Sequence, residues 1–270
     1  MGRLHLHLIS DSTGETLENI AKAAIAQFDD VEVVRHFWPM VRSESHLDRI
    51  MAEVQASPGM ILFTLVNGEL RVSLERRAGA LNLPTVAALD AVTDALSRML
   101  GQEAKARPGR QHVLDAAYFA RVEAIQFTVA HDDGIGWENW EQADIVLAGV
   151  SRTSKTPTSI YLANRGFKTA NIPIVPESPP PGALFTLRRP MVVGLTTGLD
   201  RLVQVRRNRL LSLNQAPETS YVDDERVKAE LAYARRMFAD NGWPVIDVTR
   251  RSIEETAAAV IKLVEDRSAT

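Results

Sequence analysis

The chain has 270 residues, 45% of them hydrophobic and 24% charged, which suits one large or two ordinary globular domains with a sizeable core. Its 31 Lys and Arg against 34 Asp and Glu leave a formal charge of -3, which excludes the basic coat of a general nucleic-acid binder. With no cysteine, disulfides, thiolate zinc sites, iron–sulfur clusters and a cysteine nucleophile are excluded. No stretch approaches the roughly 20 apolar residues of a membrane helix, and the start lacks a signal-like apolar run, so a cytoplasmic protein without membrane or nucleic-acid partners is expected.

The pattern then alternates between periods of two and 3.6. Strands are predicted at Leu4–Ile9, Val31–Trp38, Met60–Leu65 and Pro84–Ala88, and helices at Thr16–Phe28, Glu44–Val54, Leu70–Leu81 and Val92–Leu100. Gly101–Arg110 breaks both periods and reads as a linker. A second series follows. It has helices at Tyr118–Phe127, Thr156–Asn164, Arg201–Leu211, Asp224–Phe238 and Ser252–Val264, and strands at Ile145–Val150, Ile172–Val175, Met191–Leu195 and Pro244–Val248. Ser252 and Glu255 have capping-box spacing at the start of the last helix. Strands alternating with helices imply parallel sheets covered on both faces. The expected fold class is therefore α/β, in two domains: a Rossmann-like parallel α/β domain over 1–104, and a P-loop kinase-like α/β domain over 105–270.

The second series contains the most informative stretch. An apolar strand runs into Gly149-Val150-Ser151-Arg152-Thr153-Ser154-Lys155-Thr156, and a helix follows. The spacing is that of a Walker A loop with Ser154 in place of its second glycine. Backbone amides after the strand would curl around an anion, helped by the positive end of the helix. Lys155 would reach a terminal phosphate, and the Thr156 hydroxyl would hold Mg²⁺. The opposing reading is an ordinary strand–turn–helix, because serine restricts the close approach and positive φ that glycine allows. On the following basic helix, Arg206 and Arg209 lie three apart and would clamp a transferring phosphate from a lid, or else form a solvated basic face. His131-Asp132-Asp133-Gly134 is either a plain turn or a loop whose carboxylates orient Mg²⁺ and accept a hydroxyl proton.

Together GVSRTSKTP, the upstream HDDG, the amino-terminal SDSTGET and the carboxy-terminal GWPVIDVTRRSIEETA resemble the pyruvate, phosphate dikinase regulatory proteins and the related phosphoenolpyruvate synthase regulatory proteins. The likeness covers almost the whole chain, and serine before the loop lysine is that family's own form. It implies a bifunctional enzyme. One activity uses ADP to phosphorylate a threonine of the target dikinase, giving AMP and an inactive target. The other removes the phosphate with inorganic phosphate and releases pyrophosphate. The implied partner is pyruvate phosphate dikinase or phosphoenolpyruvate synthase, since both branches share these motifs. By this resemblance Gly149–Thr156 bind the ADP phosphates, Lys155 meets the β-phosphate and Thr156 the metal. Asp132 and Asp133 lie in or beside the centre, with Arg206 and Arg209 as clamps. A homodimer is the usual state for a soluble enzyme of this size. Two other readings are a P-loop kinase for a small metabolite and a nucleotide-sensing regulator without chemistry.

Ser10, Ser12, Thr13 and Gly14 follow the first strand and open a helix, making a second candidate anion site that would recognise the phosphorylated or acidic segment of the target. Ser12 and Glu15 also have capping-box spacing, which explains the same residues without function. His5 and His7, two apart on one strand face, read as core or edge histidines, and Trp137, Trp140 and Trp243 as packing anchors.

Overall fold

The computed structural model describes residues 3–105, 116–212 and 220–268. The chain divides into two compact units, Met1–Val113 and Leu114–Thr270. Of the linker expected at 101–110, residues 106–110 lie outside the described residues.

The amino-terminal unit runs β1 (Leu4–Ser10), α1 (Glu15–Ile25), β2 (Val33–Trp38), α2 (Glu44–Ala56), β3 (Met60–Thr64), α3 (Gly68–Ala80), β4 (Thr85–Ala87) and α4 (Asp90–Leu100). Its four strands are parallel in the order β2-β1-β3-β4, with Leu8 opposite both Phe37 and Leu62. Alternate residues of the central strands feed two layers. Leu6, Leu8 and Leu62 pack with Leu17 and Ala21 of α1, while Ile9, Ile61 and Phe63 pack with Leu47, Ile50 and Val54 of α2 and Leu74 of α3. Leu47, Ile50, Met51 and Val54 are the buried residues of α2, spaced at helical period, and Ser43 caps that helix by accepting from His46 N at 3.2 Å. The two histidines of β1 are joined by a third from β2: His7 stacks on His36 at 4.4 Å, and His5 Nδ1 lies 2.8 Å from His36 Nε2.

The carboxy-terminal unit runs α5 (Ala116–Ala130), β5 (Ile145–Gly149), α6 (Lys155–Asn164), β6 (Thr169–Pro173), β7 (Met191–Thr196), α7 (Leu199–Ser212), α8 (Asp224–Asp240), β8 (Val245–Asp247) and α9 (Ile253–Ser268). All its strand pairs are parallel, in the order β6-β5-β7-β8. Ile145, Leu147, Val193 and Leu195 face Leu162 of α6 and Ala257 and Val260 of α9. Val146, Ala148 and Val192 face Leu202 and Val203 of α7 and Leu231 and Phe238 of α8. The capping box of the last helix forms in both directions: Glu255 N donates to Ser252 Oγ at 3.1 Å, and Ser252 N to Glu255 Oε2 at 2.8 Å.

Three expectations are corrected. β6 begins at Thr169, earlier than Ile172, and its ladder closes at Pro173, which has no N–H to donate. α1 ends at Ile25, and Phe28 stands exposed. Trp140 is fully buried and Trp243 packs against the core, but Trp137, the first residue of a 3-10 turn (Trp137–Gln142), is exposed. Among the described residues, no helix is long and apolar enough to cross a membrane.

Candidate functional site

β5 is flanked by β6 on one side and β7 on the other, so successive crossovers leave it in opposite directions. Open parallel sheets form their ligand crevice at this point, beyond the carboxyl ends of the strands. All five residues of β5 are buried, which fixes where the chain turns into α6. Gly149 is required there, because an added Cβ would lie 2.7 Å from both Leu195 O and Thr153 Oγ1.

The turn is held from within. Thr153 is buried and its hydroxyl donates to Val150 O at 2.9 Å, while Lys155 Nζ donates to the same carbonyl at 3.1 Å. Arg152 and Ser154 both adopt left-handed conformations, with φ of 73° and 60°. Ser154 therefore takes up the backbone shape that glycine has in a Walker A loop, at a cost of about 1 kcal/mol for an L-residue. No side chain caps α6, and no described residue accepts from the N–H groups of Arg152 to Thr156. Those amides and the helix end make an anion nest. They open on a cleft of about 580 Å³ bordered by Asp133, Ser151, Arg152, Ser154, Lys155 and Thr156, within the size range of small-ligand sites. Burial lowers the Lys155 pKa to about 8, against the opposing pull of Asp133 and Asp132.

The HDDG loop joins this turn. Asp132 Oδ1 accepts from Thr156 Oγ1 at 2.9 Å and from Asn171 Nδ2 at 2.5 Å. The carboxylate of Asp133 has no hydrogen-bond partner among the described residues and borders the cleft. Asp133 and Gly134 turn the loop with φ of 49° and 86°. Asn171, fully buried on β6, ties the loop down. Its side-chain oxygen accepts from Asp133 N at 3.3 Å, and its backbone carbonyl from Gly134 N at 2.8 Å. The sequence reading missed Asn171, whose only mark is an amide inside the apolar strand TANIP. The paired hydroxyl and carboxylate oxygens of Thr156 and Asp132 are hard ligands of the kind Mg²⁺ uses alongside phosphate oxygens. No group of three or more His, Asp or Glu suited to a metal occurs among the described residues.

The two basic residues of α7 lie in different environments. Arg206 is fully buried, and its Nη2 donates to Glu230 Oε2 at 2.6 Å and to Ser151 O at 3.4 Å, so it supports the turn from behind. Arg209 is exposed. In the amino-terminal unit, Ser10 is buried and its Oγ accepts from Ser12 N at 3.1 Å and Thr64 Oγ1 at 3.0 Å. Asp11 is buried too and takes Val66 N at 2.7 Å. The capping reading of Ser12 does not hold: α1 is capped by Gly14 at φ 79°, with no side-chain hydrogen bond.

Comparison with known proteins adds to this geometry. A family model described as kinase/pyrophosphorylase matches residues 6–261. A Sphingopyxis alaskensis protein is 96% identical over 268 residues, covering 99% of each chain. A Novosphingobium aromaticivorans protein is 76% identical over 269 residues, covering 100% of this chain and 96% of its own. A Maricaulis maris protein is 52% identical over 263 residues, covering 97% and 94%. All three relatives bear the name pyruvate, phosphate dikinase regulatory protein.

Proposed function

This chain belongs to the kinase/pyrophosphorylase family, and from that premise we propose that it switches a pyruvate, phosphate dikinase off and on by moving one phosphoryl group. In one direction the hydroxyl of a target threonine attacks the β-phosphorus of ADP. The O–P bond to the target forms, the bond to AMP breaks, and the hydroxyl proton passes to a carboxylate. In the other, inorganic phosphate attacks the phosphothreonine phosphorus, the bond from that phosphorus to the threonine oxygen breaks, the oxygen recovers a proton, and pyrophosphate is the product.

The observation that carries this reading is the convergence at one cleft of unpaired amides, Lys155 and the Thr156–Asp132 pair. The amides of Arg152–Thr156 would hold the diphosphate, with Lys155 on the β-phosphate. Thr156 and Asp132 would hold Mg²⁺, which supplies charge neutralisation on the phosphate oxygens. Asp133 suits the proton acceptor, because its carboxylate borders the cleft without a competing partner while Asp132 is engaged by Thr156 and Asn171. Both directions are in-line displacements at phosphorus, so one electrostatic arrangement serves both. Arg206 shapes the loop, and Arg209 remains the exposed candidate clamp. The exposed part of the SDSTGET turn is the proposed contact for the target.

Substituting Lys155→Ala should abolish transfer of radiolabelled β-phosphate from ADP to the purified dikinase, and phosphate-dependent release of pyrophosphate as well, in a protein that still melts cooperatively. Near-normal transfer by that variant would remove the loop from the reaction.

A further inference from the structure

The geometry points to a selectivity device at the leading end of the loop: Tyr221, acting through Ser151 and braced by Arg206, limits the length of phosphate chain the cradle accepts and favours a nucleoside diphosphate over a triphosphate. This deepens the proposed function and rests on its reading of the loop as a nucleotide cradle.

Ser151 borders the cleft. The Ser151 hydroxyl lies 2.9 Å from Tyr221 OH, and its carbonyl accepts from Arg206 Nη2 at 3.4 Å, so both of these polar groups are held. Tyr221 is itself fixed. Its ring lies 4.4 Å from the guanidinium carbon of Arg206, and its carbonyl accepts from Arg206 Nη1 at 3.0 Å. Arg206 has no freedom to move aside, being fully buried and paired with Glu230.

A strand–loop–helix cradle surrounds phosphate from two sides. The lysine and the first helical amides form one side, and the leading loop residues form the other. A diphosphate seated on Lys155 ends between them. A third phosphoryl group extends past Lys155 towards the leading residues, where Ser151 would have to yield. It can yield only by breaking its bond to the phenol or to the guanidinium. Tyr221 is thus a positioning residue, and its signature is a change in donor preference rather than a uniform loss of affinity.

Titration calorimetry of the full-length protein with Mg²⁺-ADP and Mg²⁺-ATP, on wild type, Tyr221→Phe, Ser151→Ala and the double variant, reads that preference. The wild type should bind ADP more tightly. Each single variant should narrow the ratio of dissociation constants about fivefold, the worth of one neutral hydrogen bond. The double variant should go little further, because both changes remove the same contact. A ratio unchanged in both single variants overturns the inference and leaves Tyr221 as a prop for the fold. Should melting show that Tyr221→Phe is unfolded, Ser151→Ala decides alone. Equal binding of the two nucleotides by wild type refutes the selectivity device but spares the cradle, whereas no binding of either refutes both.

Discussion

Lys155 combines a buried position with a charge that the proposed chemistry requires. Its pKa of about 8 lies below the ordinary lysine value, chiefly because burial disfavours the ammonium form. The unfolded chain therefore holds this proton up to higher pH than the folded one does. Linkage then makes this group's contribution to stability rise with pH between about 8 and the ordinary lysine range, and stay level below 8. Ligand binding should run the other way: ADP affinity should fall as pH rises through about 8, where the ammonium is lost. Titrations at pH 7 and 9 check this, and the fall should be absent in Lys155→Ala. Asn171 acts at the same scale. Asn171→Ala leaves Asp132 without its amide partner and Asp133 N without an acceptor. We expect a loss of about 1–3 kcal/mol in stability from the buried groups left unsatisfied. The turnover number should also fall more than the affinity for ADP, read by denaturant melts and steady-state transfer kinetics.

At the scale of elements, the strand β7 shows how closely the sheet and its covering helices meet. A Cβ on Gly194 would lie 2.5 Å from the ring of Phe238 on α8. Gly194→Ala should cost about 1–3 kcal/mol through overpacking, seen as a lower melting midpoint with nucleotide binding otherwise retained at low temperature. The β5–loop–α6 unit was legible in the sequence because strand, loop spacing and helix are contiguous and periodic. The reciprocal cap at Ser252 and Glu255 was legible for the same reason. What escaped the sequence depends on partners far along the chain. Arg206 reads as a phosphate clamp or a solvated cation until Glu230, on the next helix, is brought against it. His5 and His7 look like a pair until β2 delivers His36 to the same stack. Asn171 shows its purpose only once β6 lies beside β5 and the HDDG loop folds over it. The left-handed Ser154 escaped for a local reason: propensity favours glycine there, and the internal bonds of Thr153 and Lys155 to Val150 O override it.

At the scale of the whole molecule, two units each carry their own cores. Among the described residues, the clusters built on β1 and β3 draw none from beyond Ala88, and those built on β5 and β7 draw none from before Phe127. Every element of the proposed nucleotide cradle belongs to the second unit. A fragment spanning Leu114–Thr270 should therefore fold and bind ADP within about threefold of the full chain, while failing to phosphorylate the dikinase if the amino-terminal unit supplies the target contacts. Circular dichroism and calorimetry on the fragment check the first part, and the transfer assay checks the second. Both sheets wind in the same order, with the first strand of each unit placed between its second and third. That shared winding has a consequence at the ribosome. Among the described residues, no strand of the first sheet pairs with one later than Ala87, so the amino-terminal unit can finish its sheet while the second unit is still being translated. Slow parallel pairing is confined to two short contiguous stretches rather than spread across the full length of the nascent chain.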